Sequence, residues 1–253
     1  MRLAIALGAT LLLATPPVAA PSRDAAPSGF SHATFDTVLS RFLHNGRVDY
    51  GGLARDRGAL DRYLVACADA RPDDWPREEQ IAFWVNAYNA RVLLGVIERP
   101  GLRSVLDVGK VLFVPTLRFF RERRPTGGAA RSLNDIEHGI LRARYRDPRV
   151  HFVLNCASAS CPVLPQRALR GATLDAELEL AAGRFLVDST RNRIVPQREL
   201  GLSSIFKWYG DDFRAAEGSL QSFVERHWPR RERFAADLPV RFLHYDWSLN
   251  GSW

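Results

Sequence analysis

The stretch Arg77–Ile97, REEQIAFWVNAYNARVLLGVI, decides how this chain is read. Its apolar positions Ile81, Trp84, Val85, Tyr88, Val92 and Val96 recur with the period of an α-helix and fall mostly on one face. Pro100-Gly101 stop it. The spacing therefore predicts a core helix from Arg77 to Ile97. Asn86 and Asn89 lie within it, where their amides are placed to cap neighbouring strands or a loop.

Upstream, Phe35, Val38, Leu39 and Phe42 recur at helical spacing up to Asn45-Gly46. Val48-Asp49-Tyr50 is a short extended piece before a second helix with Leu60, Tyr63, Leu64 and Cys67. Downstream, Val111 to Phe120 is rich in β-branched and aromatic residues and predicts short strands. Thr126-Gly127-Gly128 is a turn. Ser132 followed by Asp135 resembles a capping box opening a helix through Ile136, Ile140 and Leu141. Val150-His151-Phe152-Val153-Leu154 has the pattern of a buried strand leading into a loop at Cys156–Pro165. Helices are expected near Leu174–Val187, Ser203–Phe213 and Ser219–His227, with extended segments at Arg193–Pro196 and Leu238–Tyr245. No repeat and no Pro/Gly-rich linker divides residues 30–253, so a single α+β domain is expected, its helices packed on a small mixed or antiparallel sheet.

The chain has 253 residues with 46% hydrophobic content, 35 basic against 28 acidic side chains and three cysteines. That composition excludes global disorder and a disulfide-dense miniature scaffold. Residues 1–20 have the layout of a signal peptide: Arg2, an apolar run from Leu3 to Ala14, and small residues at Val18-Ala19-Ala20. Residues 21–29 are Pro/Ser/Ala-rich without periodicity and are expected to be a disordered linker. No later run is long and apolar enough for an integral span in the mature chain. The expected location is the periplasm or the extracellular space. The net charge is +7, one less once Arg2 leaves with the leader. With export, this charge favours an acidic envelope component or a small-molecule or peptide ligand, and no nucleic acid.

Several motifs in order resemble the domain-of-unknown-function 547 family. They are Ala82–Ala90 (AFWVNAYNA), Ser132–His138 (SLNDIEH) and Asp147–Ser158 (DPRVHFVLNCAS) followed by Ser160-Cys161-Pro162. Leu202–Tyr209 (LSSIFKWY) with Asp212-Phe213, and Tyr245–Asn250 (YDWSLN), complete the set. The resemblance spans roughly Val48 to Asn250 and carries an architecture, without an established activity.

Cys156 and Cys161 are the sharpest chemical feature. In an oxidising compartment they form a short-loop disulfide, leaving Cys67 over as a core thiol. As free thiols they offer a nucleophile, for which His151 and His138 are the available bases and Asp246, Glu137, Asn86 or Asn89 the available orienting groups. A turn after Asn155 is needed to bring His151 and Cys156 together if 150–154 is a strand. The catalytic set is then Cys156, His151, His138 and Asn86, surrounded by a pocket or network of Asn89, Glu137, Asn155 and Asp246. No cofactor is implied. His138, His151, Cys156 and Cys161 also make a ligand set suited to Zn²⁺, though their spacing matches no standard finger. A transglutaminase-like or papain-like layout would need a thiol where the helix has Asn86 and Asn89. No Gly-rich phosphate loop, HExxH or GxSxG motif occurs, which sets aside nucleotide-dependent and GxSxG serine-hydrolase chemistry. The sequence thus leaves a thiol-dependent acyl-transfer or hydrolytic enzyme beside a non-catalytic envelope binding module braced by a disulfide.

Overall fold

A computed structural model describes residues 29–109 and 117–253. The expected leader, the linker apart from Gly29, and the strand expectation over residues 111–116 lie outside the described residues.

The chain order is α1 (Ala33–Phe42), β1 (Leu43–His44), β2 (Arg47–Asp49), α2 (Tyr50–Arg55), α3 (Gly58–Asp69), α4 (Arg77–Ile97), α5 (Arg118–Arg121), β3 (Arg124–Thr126) and β4 (Ala129–Arg131). A π-helix (Asp135–Tyr145) and a 3₁₀ segment (Pro148–Phe152) follow. Then come α6 (Leu174–Val187), β5 (Arg193–Val195), β6 (Glu199–Leu202), α7 (Ser204–Trp208), α8 (Gly210–Glu217), α9 (Leu220–His227), β7 (Val240–Phe242) and β8 (Gly251–Ser252). The fold is α+β, dominated by helices, with three small sheets in place of one. β1–β2 is antiparallel and β2–β8 parallel; β3–β4 is an antiparallel hairpin; β5–β6 is antiparallel and β6–β7 parallel.

Helix α4 has the predicted bounds, but it is buried almost all round instead of on one face. α2, α3, the short 3₁₀ turn Gly171–Thr173 and the π-helix all pack against it, so even Asn86, Asn89 and Arg91 are enclosed. Arg91 has no carboxylate partner among the described residues. Its Nη1 donates to Thr126 Oγ1 (3.1 Å) and the Arg131 carbonyl (2.6 Å), and its Nη2 to the Glu122 carbonyl (3.1 Å). Burial pushes the guanidinium pKa down to about 10. The side chain thereby ties the β3–β4 hairpin to the central helix.

Four expectations need correction. Residues 150–152 are not a strand: Asp147 accepts a hydrogen bond from the Arg149 N–H (3.0 Å) and Pro148 occupies the first turn, which starts a 3₁₀ segment. Phe119 and Phe120 lie in the helical turn α5, not in a strand. The helix expected over 203–213 breaks at Tyr209 into α7 and α8. The closing strand is confined to Val240–Phe242 and is exposed.

The capping box holds. The Ser132 N–H donates to Asp135 Oδ2 (2.9 Å) and the Asp135 N–H to Ser132 Oγ (3.0 Å). It opens a π-helix, however, not an α-helix, and in π geometry residues five apart stack on one face. Glu137 and Arg142 therefore both reach the same cleft. The buried side chains form two apolar clusters, one around α1–α4 and the π-helix, the other around α6–α9.

Candidate functional site

The segment Val153–Pro162 is held by buried amides. Asn89 on α4 grips it twice: Nδ2 donates to the Val153 carbonyl (2.8 Å), and Oδ1 accepts from the Asn155 N–H (3.0 Å). Asn155 braces the loop across itself, with Nδ2 to the Pro162 carbonyl (2.7 Å) and Oδ1 accepting from the Ala157 N–H (2.8 Å). That oxygen also accepts from Asn250 Nδ2 (3.0 Å), and Asn250 Oδ1 accepts a hydrogen bond from the Tyr50 hydroxyl (2.7 Å). These bonds hold Ala157 in the left-handed region at φ 65°, which costs a non-glycine residue about 1 kcal/mol. The turn after Asn155 exists, and it presents Cys156 to a cleft.

Cys156 and Cys161 form a disulfide with Cα atoms 6.2 Å apart. Cys156 is partly exposed, whereas Cys161 is 2% exposed. Around the sulfurs run a Ser158 hydroxyl donating to Tyr245 Oη (3.1 Å) and a Tyr245 hydroxyl donating to Cys161 Sγ (3.2 Å). The Cys156 N–H also donates to Cys161 Sγ (2.9 Å).

The cleft has a volume of about 490 Å³ and is lined by the π-helix, the 3₁₀ segment, the cysteine loop, α7 and the segment 245–247. On its polar wall His151, Asp212, Arg142 and His138 form one chain of hydrogen bonds. Asp212 Oδ2 contacts His151 Nε2 (2.8 Å) and Arg142 Nε (2.6 Å), and its Oδ1 accepts from Arg142 Nη2 (2.8 Å). Burial raises the carboxyl's pKa, but the hydrogen bonds and charges of His151 and Arg142 prevail and hold it below the ordinary carboxylate range. An ionised Asp212 only accepts, so His151 Nε2 carries a proton; Arg142 only donates, so His138 Nδ1 (2.8 Å away) accepts. His151 Nδ1 has no hydrogen-bond partner among the described residues. The imidazole stacks on Tyr209 with ring centroids 3.9 Å apart. Tyr209 in turn donates to Glu137 Oε1 (2.5 Å), and Tyr88 donates to Glu137 Oε2 (3.1 Å). Burial and then the Glu137 charge push both phenols above their ordinary pKa. Trp208, Tyr245 and Trp247 pack edge-on or tilted as the aromatic wall.

Of the residues singled out from sequence, Cys156, Cys161, His151, His138 and Glu137 line this cleft, and Asn89 and Asn155 hold the loop behind it. Asn86 lies elsewhere: its amide exchanges two 2.9 Å hydrogen bonds with the Leu169 backbone and orients neither histidine. Asp246 is exposed and caps the Ser248 N–H (2.8 Å). The orienting carboxylate is Asp212, which sequence reasoning did not assign. Its signal was an acid just after the Tyr209-Gly210 break, indistinguishable from an ordinary acidic first turn. Zinc fits poorly, since the disulfide occupies both sulfurs and His138 Nδ1 faces a guanidinium. Among the described residues no group of three or more His, Cys, Asp or Glu is disposed to hold a metal. A second cleft, of about 540 Å³ along α6 and the Pro162–Leu169 loop, contains no histidine or cysteine.

Fold and site thus define an α+β domain in which a His–Asp pair, its imidazole buried and its carboxylate partly exposed, and a disulfide share one aromatic-walled cleft. Residues 72–186 match the family model described as "Protein of unknown function, DUF547", so this segment is similar to that family. The segment contains the central helix, the π-helix and the cysteine loop; Asp212, Tyr209 and Tyr245 lie beyond it. No curated protein and no solved structure matches the chain.

Proposed function

We propose that the cleft is the active site of a thiol-dependent acyl-transfer or hydrolytic enzyme acting on a small molecule or peptide, with reduced Cys156 as nucleophile. The observation that carries this reading is the His151–Asp212 pair on the cleft that also exposes Cys156. Asp212 holds Nε2–H, which leaves Nδ1 as the basic atom. Cys156 Sγ attacks the substrate carbonyl carbon while its proton passes to His151 Nδ1. The bond to the leaving group breaks, and that group takes the proton from His151. Water or an acceptor hydroxyl or amine then cleaves the thioester, and Sγ leaves as the thiolate. His138, through Arg142, positions Asp212. The layout of residues 1–20 and the disulfide together support export to an oxidising compartment.

The disulfide favours a second reading, a non-catalytic binding module whose braced loop forms one wall of a ligand cleft. One experiment separates the two. Cys161→Ser presents Cys156 free, and the variant is mixed with activated esters and thioesters while intact mass is followed. Acyl mass appearing on Cys156 and decaying in water supports the enzyme, with His151→Ala slowing acylation roughly 10²- to 10⁴-fold. Acylation no faster than on Cys156→Ser rejects the enzyme and leaves the binding module.

A further inference from the structure

We propose that the Cys156–Cys161 disulfide is itself a reactive centre, exchanging with small thiols that enter the cleft. Cys156 accepts the incoming sulfur and Cys161 departs as a stabilised thiolate. The proposal does not rest on acyl transfer.

Three observations on different elements converge on it. First, the two sulfurs are unequal in access: both cysteines line the cleft, but Cys156 is partly exposed, whereas Cys161 is 2% exposed in the second apolar cluster. A thiol arriving through the cleft therefore meets Cys156. Second, the buried sulfur has a donor of its own, the Cys156 backbone N–H at 2.9 Å, and shares two hydroxyls with Cys156: Tyr245 Oη lies 3.2 Å from Cys161 Sγ and 3.3 Å from Cys156 Sγ, and Ser158 Oγ 3.2 and 3.0 Å from them. A disulfide sulfur is a weak acceptor, whereas a thiolate in the same place is a strong one. These bonds thus strengthen as negative charge develops on Cys161, and a better-stabilised thiolate leaves faster. Third, the Arg191 guanidinium donates to the carbonyls of Cys161 (2.7 Å) and Ala159 (3.2 Å), adding positive potential at the loop that its pairing with Asp188 offsets in part. A purely structural disulfide needs neither an accessible sulfur nor a backbone N–H aimed at the other one.

The exchange balances as a two-electron transfer. A thiolate of a small dithiol attacks Cys156 Sγ; the new S–S bond forms, and the Cys156–Cys161 bond breaks with its electron pair on Cys161 Sγ. The dithiol's second thiolate then attacks its own sulfur in the mixed disulfide and expels Cys156 Sγ. The dithiol is oxidised, the protein holds two reduced cysteines, and the two thiol protons pass to solvent or to the new thiolates. A cleft of about 490 Å³ takes a small dithiol or an extended cysteine-bearing segment.

The full-length oxidised protein is incubated without denaturant with excess dithiothreitol, acid-quenched and alkylated, and the reduced protein is returned to oxidised glutathione. Expected are labelling of Cys156 and Cys161 in the folded state and reversal on reoxidation. Tyr245→Phe slows the reduction roughly three- to tenfold, the worth of one hydrogen bond to a developing charge. With oxidised glutathione, Cys161→Ser forms a mixed disulfide on the order of a hundredfold faster than Cys156→Ser, whose remaining sulfur is buried. A bond that resists dithiothreitol until the protein unfolds overturns the proposal, as do equal rates for the two serine variants. The wild-type measurement decides even if a variant fails to fold. No acyl donor is present, so the outcome is separate from that of the acylation test.

Discussion

Replacing Asp212 by asparagine tests the polar wall of the cleft most directly. The carboxylate accepts two hydrogen bonds from Arg142 (2.6 and 2.8 Å) and one from His151 (2.8 Å). An asparagine keeps the shape but loses the charge and turns an N–H₂ toward a donor. Arg142 and Asp212 are each 26% exposed, so water screens part of the loss, and the expected cost at pH 7 is about 2 kcal/mol. The cost depends on pH in a calculable way. Burial works to raise the Asp212 pKa, but the hydrogen bonds and charges of His151 and Arg142 win and hold it low in the folded state. A carboxyl held low contributes its full stability above its unfolded pKa of about 3.9 and loses it as pH falls toward the folded value. Each unit below about 3.9 removes roughly 1.4 kcal/mol, so the gap between wild type and Asp212→Asn should narrow to under about 1 kcal/mol at pH 3. Urea unfolding of both proteins at pH 7, 5 and 3, with the slopes compared, measures it. A gap that stays constant with pH, or one below about 0.5 kcal/mol at pH 7, would refute the charge-based account and leave a steric one.

Asn89→Ala leaves the Val153 carbonyl and the Asn155 N–H buried without their partner, and is expected to lower unfolding stability by about 2–3 kcal/mol in a denaturant titration. Gly127→Ala combines a left-handed backbone (φ 61°) with a Cβ that would run into the buried Trp84 ring; a loss above about 2 kcal/mol, seen as a fall in the melting temperature, is expected. Burial pushes the Cys67 thiol up to about 12, so it should resist iodoacetamide near neutral pH in the folded protein and react once the chain is unfolded. Rapid native labelling of Cys67, counted by mass spectrometry, would contradict its place in the core.

What could be read from the residues follows from how local the determining forces are. Helix α4 was legible because its apolar period and the Pro100-Gly101 stop after it act within a few residues. The Gly127-Gly128 turn and the Ser132–Asp135 box were legible for the same reason. The run 150–154 misled because continuous apolarity marks burial, not backbone geometry, and Asp147-Pro148 held the deciding information. The π-helix left no trace in the sequence: its residues are ordinary helix formers, and its wider turn brings Glu137 and Arg142 to one cleft. Asp212 was beyond local reasoning altogether, since it meets His151 only through tertiary packing.

The position of His151 explains why that packing matters. Its neighbour Val150 belongs to the first apolar cluster and Phe152 to the second, so the imidazole sits on the seam between them. The polar contacts of the cleft cross this seam. Glu137 on the π-helix bonds Tyr88 from α4 on one side and Tyr209 from the α7–α8 break on the other. Arg142 reaches across to Asp212 on α8. A strand at 150–154 would alternate its side chains between two faces of a sheet. The 3₁₀ turn instead sends Val150 and Phe152 into different clusters and leaves His151 facing the cleft between them. A ligand in the cleft then touches both halves at once. Its binding energy couples to their association and should slow amide exchange in both α4 and α8, not in one alone.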